Sequence, residues 1–432
     1  MLELPFWLIL LSWSFLPSTQ TSLFTIESIP ISLKDLLIIP IAGFYFLLQV
    51  KNKHPINTRL KHWHHYLPLF TVVLLIYAAT SIQWSGMDKS NCMAMLYTLV
   101  LTGSACLLAY YLIAKIKFTS LHSFLWRLTI FVALVGLLYT AQSFFSLGWT
   151  TLNDSQGNDF GIQRVRGPLF GSTTGYFMLV PALGFAIDEI LQNPSKRLLK
   201  LSIVFSLLLT IISLGSRSAF ILLSVLLTCL VLFIKNRKYA VISLAIVLIV
   251  TTSTMLLFYS RAKTDRLQSL EDTSRQDTYL TSFQIIENRS ELTNIFGSGY
   301  GSYWPWYIPD TQNPRETGQY FDLVWNPYGS LLYHPHSTFL LCIVELGLPG
   351  LIYFAFIWFI LVKLLFENFR GARYPIFFCA IFTSGFSMFF DFFLFKATTV
   401  STLWWMFLFG ALCLNYGVSA SQRQHKIISY QR

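Results

Sequence analysis

Tyr333-His334-Pro335-His336-Ser337-Thr338-Phe339-Leu340 is the place where the one long polar stretch of this chain ends and an apolar run begins. The polar stretch opens near Arg261, and on either side of it the sequence reads as membrane. Hydrophobic residues make up 54% of the chain and charged residues only 12%. A soluble domain carries about 25% charged residues, so roughly half the usual charge is missing.

Working outward from that boundary, apolar runs fall at 4–17, 35–50, 66–82, 92–114, 125–147, 169–192, 198–214, 217–234 and 239–259 before the polar stretch. After it come 338–366 (interrupted), 375–395 and 397–417. A run of ~20 apolar residues crosses the hydrocarbon core, so the expectation is an all-α polytopic membrane protein of about twelve spans. Residues 1–259 then hold the first nine spans, 260–337 a large extracytoplasmic loop, 338–417 the last three spans, and 418–432 a cytoplasmic tail. The first run lacks a basic segment before it and reads as a retained span, not a cleaved signal.

Charge sets the orientation. With the N-terminus in the cytoplasm, the inner segments collect the dense basic clusters, such as Lys51, Lys53, Arg59 and Lys61, or Lys196, Arg197 and Lys200. Short loops rich in Lys and Arg stay inside, so both termini are expected in the cytoplasm and the long loop outside. The same clustering accounts for the net charge of +11 without a nucleic-acid partner. The six cysteines lie in or beside apolar runs, without metal or redox spacing, and read as small buried side chains.

Within the loop, Ser274 and Asp277 have the spacing of a capping box, and Tyr279, Leu280, Phe283 and Ile286 follow at helical spacing. An amphipathic helix is expected there. Phe296-Gly297-Ser298-Gly299-Tyr300-Gly301-Ser302-Tyr303-Trp304 follows no strand, which makes it a turn more than a nucleotide motif. No P-loop, nucleophile elbow, H-E-x-x-H or CxxC pair occurs.

Sidedness sorts the groups able to carry chemistry. Six histidines (54, 62, 64, 65, 122 and 425) fall among inner basic residues and read as headgroup contacts; His334 and His336 face outward. Outward arginines include Arg166 before Gly167-Pro168, Arg217 at a tight turn, and Arg266, Arg275 and Arg289 in the loop. A lone arginine at a helix end ordinarily snorkels to lipid phosphate. Several around one mouth suit a pyrophosphate, because the guanidinium fork binds phosphate oxygens in pairs. Asp391, read as lying inside the eleventh span, is a further candidate as an intramembrane charge.

Three pieces together carry a family resemblance: Arg164-Val165-Arg166-Gly167-Pro168; Ser216-Arg217-Ser218-Ala219; and His336-Ser337-Thr338-Phe339-Leu340 followed by Glu345-Leu346-Gly347-Leu348-Pro349-Gly350. In this order, around a large loop with Arg275, the chain resembles the O-antigen ligase and O-antigen polymerase superfamily of bacterial membrane glycosyltransferases. Ser337 stands where that family often has Asn. The resemblance implies an inner-membrane enzyme whose loop is periplasmic and whose donor is a glycan on undecaprenyl pyrophosphate. It implies that Arg217 and Arg275 clamp the pyrophosphate, with Arg166 a third candidate, and that His336 serves the acceptor hydroxyl as base or positioning group. His334, Arg266 and Asp391 form a second tier, with no metal and no cofactor required. The acceptor is lipid A–core for a ligase, the next lipid-linked unit for a polymerase, or a hydroxyl amino acid for a protein-directed transferase; the H-P-H-S segment leans to the ligase. A transporter is the competing class, since about twelve spans is a common count for one. Against it stand the lack of a two-fold repeat and the concentration of polar residues in one loop.

Overall fold

The computed structural model describes residues 3–15, 22–26, 29–32, 37–51, 66–85, 89–116, 118–145, 147, 169, 175–193, 195–214, 216–233, 241, 245, 273–302, 337–367, 373–391 and 393–430. The expected ninth span apart from positions 241 and 245, and His334, His336, Arg166 and Arg266, lie outside the described residues. Apart from one hairpin, the described chain is helical. Ser22–Ile26 pairs antiparallel with Ile29–Ser32, setting Phe24 opposite Ile31 and Ile26 opposite Ile29.

Among the described residues, five helices are long and apolar enough to cross a membrane: Tyr66–Trp84, Met95–Lys115, Thr119–Gln142, Gly347–Glu367 and Thr398–Asn415. Phe6–Phe15 and Pro375–Phe389 are shorter apolar helices. Helices also occupy the expected spans at Ile38–Lys51, Tyr176–Gln192, Arg197–Ser213 and Arg217–Phe233, with 14, 17, 17 and 17 residues. The chain is a multi-pass membrane protein.

The bundle is built around α1 (Tyr176–Gln192), whose neighbours include α2 (Pro375–Phe386), α3 (Arg197–Ser213) and α4 (Thr398–Tyr430). Its packing is aromatic. Phe177 stacks on Phe393 at 3.8 Å between ring centroids, and Trp404 meets Phe393 edge-on at 5.6 Å. Trp404, Trp405, Tyr176 and Phe177 are almost wholly buried. Without a hydrophobic driving force between helices in lipid, such tight contact is what holds spans together. Gly184 serves the same end: a Cβ there would press on Ile376 and Phe377 of α2.

Two of the expected spans are broken. The tenth divides into α5 (Thr338–Glu345) and α6 (Gly347–Glu367). The eleventh ends in a 3₁₀ turn at Ser387–Phe389, and a four-residue helix follows at Phe393–Lys396. Asp391 therefore sits in a break between helices, not inside a span as the sequence suggested. The run from Phe386 to Phe395 is apolar throughout except at Ser387 and Asp391, so hydropathy alone gave no sign of the break.

Candidate functional site

The break at 387–391 is where the loop is fastened to the bundle. Ser337 is the N-cap of α5, its hydroxyl accepting the Leu340 amide at 3.2 Å. The same hydroxyl donates to the Met388 carbonyl at 3.4 Å. Serine at this place is a strong helix initiator, which gives the departure from Asn a local reason. Thr338 follows with two bonds to the Asp391 carbonyl, from its amide and its hydroxyl, both 3.0 Å. Asp391 in turn gives its amide to the Ser387 carbonyl at 2.8 Å and is buried.

A second element reaches the same turn. The expected amphipathic helix forms as α7 (Thr273–Asn288), and the Tyr279 hydroxyl donates to the Phe389 carbonyl at 2.5 Å. Because α7 already includes Thr273, Ser274 lies within its first turn and not at a cap. The buried face is partly polar. Thr278, Ser282 and Ile285 are buried, while Leu280 and Phe283 are 62% and 48% exposed. Position 275 lies in the first turn of α7, one turn before Tyr279.

Arg289 locks the loop to α5. Its Nε donates to Asn294 Oδ1 at 2.6 Å, and its terminal nitrogens reach Ser298 Oγ at 3.1 Å, the Val344 carbonyl at 2.6 Å and the Ile343 carbonyl at 2.9 Å. The last carbonyls of a helix have no partner inside it, and a cation there also meets the negative end of the helix dipole. Sequence reading placed Arg289 among the outward arginines without this role. Nothing in its immediate sequence, Asn288-Arg289-Ser290, marks it for this role.

The glycine-aromatic run is the third attachment, and it is a turn as expected. A short helix, α8 (Glu291–Phe296), ends at Gly297 with φ +74°. Ser298 and Gly299 then donate their amides to the carbonyls of Val344 and Glu345 at 3.2 and 3.1 Å. Gly301 donates to the Glu345 carboxylate at 2.8 Å, and Tyr300 to the Ser81 hydroxyl at 2.9 Å. Gly347, with φ +61°, closes the break after α5; a Cβ on it would strike the Gly297 amide, and a Cβ on Gly297 would strike the Glu345 carbonyl. The two motifs read separately in the sequence are thus two halves of one contact. Tyr300 is fully buried. Burial, with the Glu345 carboxylate beside it, pushes its hydroxyl well above the usual tyrosine range, so it stays protonated.

Arg217 opens the helix Arg217–Phe233, which packs against α2, the helix leading into the 387–391 turn. The structure therefore ties two regions to that turn, the helix carrying position 275 through Tyr279 and the residue after His336 through Ser337, while the 217 helix packs along α2. Side-chain positions of Arg217 and Arg275 lie outside what is described. No cluster of three or more His, Cys, Asp or Glu able to hold a metal occurs among the described residues.

A second polar cluster lies elsewhere in the bundle. Glu189 pairs with His122 and with Lys200, the latter at 3.3 Å, and Lys200 also donates to the carbonyls of Glu189 and Asn193. Asp188 accepts the Phe377 amide at 2.8 Å, capping α2 from a neighbouring helix. Lys200 and Glu189 are 5% and 3% exposed. Lys200, one of the inner basic residues, is a buried partner of a carboxylate, and the partly exposed His122 is that carboxylate's second partner. Two adjacent carboxylates near the end of an apolar run were the missed signal.

Residues 201–355, a little over a third of the 432-residue chain, match the family model described as O-antigen ligase. The matched segment contains Arg217, α7, the glycine run and α5. No curated protein matches the chain.

Proposed function

We propose that this chain, whose residues 201–355 match a family model described as O-antigen ligase, is a membrane glycosyltransferase that moves a glycan from undecaprenyl pyrophosphate to an acceptor hydroxyl on the periplasmic face of the inner membrane, the acceptor being lipid A–core. The observation that carries this reading is the convergence on residues 387–391. Ser337 binds Met388, Thr338 binds Asp391 and Tyr279 binds Phe389. Those contacts tie down the immediate neighbours of His336 and the helix of Arg275, residues the family assigns to base and clamp.

In this reading the acceptor oxygen attacks the anomeric carbon while that carbon's bond to the pyrophosphate oxygen breaks. The electron pair leaves with undecaprenyl pyrophosphate, and the acceptor proton passes to His336. An imidazole with an ordinary pKa of about 6.5 suits that exchange near neutral pH. Arg217, Arg275 and Arg166 neutralise the charge that grows on the leaving group, the kind of fixed electrostatic help worth most in a dry site. His334, Arg266 and Asp391 are supporting candidates, and the chemistry calls for neither metal nor cofactor.

The test is a deletion strain complemented with wild type, His336→Ala or Arg275→Ala, with surface glycans separated on a gel. Loss of core-attached glycan with lipid-linked polymer accumulating supports the ligase. Single repeat units on core transfer the reading to a polymerase. Unchanged lipopolysaccharide with loss of protein glycosylation points to a protein-directed transferase. Full complementation by both variants refutes the catalytic assignment.

A further inference from the structure

The short helix α8 is inside out. Leu292, Ile295 and Phe296 are 68%, 45% and 51% exposed, and the helix periodicity puts all three on one side. Its inward side is polar: Asn294 accepts from Arg289 and donates to the Ile286 carbonyl at 3.2 Å. In water this arrangement leaves apolar area exposed and spends a polar side chain on the interior; in lipid the outward side is the right one to be apolar.

The surroundings agree. α8 packs against α6, a candidate membrane span, whose Leu348 and Ile352 are also exposed near its start. The exposed face of α8 thus continues the outer face of a span. Tyr77, on the span Tyr66–Trp84, donates its hydroxyl to the Phe296 carbonyl at 2.5 Å. Its ring lies 6.1 Å from that of Trp84, which is 47% exposed at the end of the same span. Tyr and Trp gather at the level where hydrocarbon gives way to headgroups. Leu280 and Phe283 of α7 add two further exposed apolar side chains.

We propose that α8 forms a membrane-seated collar, with Leu292, Ile295 and Phe296 inserted into the bilayer surface beside α6. The partner is the lipid leaflet itself, and the proposal holds whether or not the transferase reading is right, because it rests on exposure and contact alone.

The test uses the full chain in nanodiscs of phosphatidylethanolamine and phosphatidylglycerol. Single nitroxides are placed by Leu292→Cys, Ile295→Cys and, as a control on the exposed polar flank of α7, Gln284→Cys. The native cysteines are all buried, and the label taken up by the unmutated protein sets the background. Positions 292 and 295 are expected to relax several-fold more with oxygen than with a water-soluble nickel chelate, and 284 the reverse. A nickel preference at 292 and 295 overturns the proposal, because the collar then faces water. Exclusion of both reagents overturns it too, because another protein surface, or a second copy, then covers the patch. Neither result depends on turnover, so failure here is distinct from failure of the catalytic assignment.

Discussion

Arg289 donates to the Val344 carbonyl at 2.6 Å, across 55 residues of chain, and so joins the loop to the helix that begins at Ser337. With its bonds to Ile343, Ser298 and Asn294, one guanidinium holds three elements in register. A hydrogen bond to a charged group contributes about 1.5–3 kcal/mol. Arg289→Ala is expected to cost about 2–4 kcal/mol of loop stability, and Arg289→Lys to recover little, because an ammonium cannot reach four acceptors in one plane. Limited proteolysis in nanodiscs measures this: faster cleavage between 273 and 302 in both variants is the expected result, and wild-type resistance in Arg289→Lys contradicts it.

The contact between Gly297 and Gly347 makes a second prediction. Alanine at either position meets backbone at a positive φ, so neither neighbour yields easily. Each substitution is expected to destabilise by about 2 kcal/mol or more, the combined cost of αL strain and a steric clash. Gly43 is the contrast. It lies in a helix with open space at its Cβ, and Gly43→Ala is expected to stabilise by up to about 1 kcal/mol. Thermal unfolding of the detergent-solubilised protein should separate the three variants in that order.

Tyr279→Phe removes one hydroxyl and leaves the ring. The bond lost to Phe389 is worth about 1 kcal/mol. If the 387–391 turn positions the helix of Arg275 for catalysis, glycan transfer should fall about five- to ten-fold in a quantitative gel assay, a larger fraction than the fall in stability accounts for. An unchanged transfer rate would make the contact structural only.

Breaking the second cluster should be costly, and removing it whole should not. Lys200→Met leaves Glu189 with His122 alone, and the loss of one partner of a buried pair costs about 3–5 kcal/mol. Glu189→Gln added to Lys200→Met is expected to regain most of that. The comparison is made by melting temperature, and a double variant as unstable as the single one would count against the pairing.

Much of this architecture was legible in the residues. The long apolar helices stood out by length, and the interruption after Glu345 showed in the Gly347-x-x-Gly350 spacing. The 387–391 turn did not, because a backbone break costs little hydropathy when phenylalanines flank it on both sides. The buried face of α7 was not legible for a more instructive reason. Periodicity finds the apolar side of a helix, and the inward side here carries Thr278 and Ser282. Long-range polar bonds such as Arg289 to Ile343 leave no local trace at all, since neither residue is unusual in its own neighbourhood.

The interlock of the glycine run with the helix break also fixes an order of events during synthesis. Residues 297–301 find their acceptors at Val344 and Glu345, which the ribosome supplies more than forty residues later. The loop therefore emerges on its own side of the membrane with its turn unformed. It reaches its final shape only after the following span has been threaded and Gly347 is in place, so a chain halted before that point carries an unassembled collar however well its first spans are inserted.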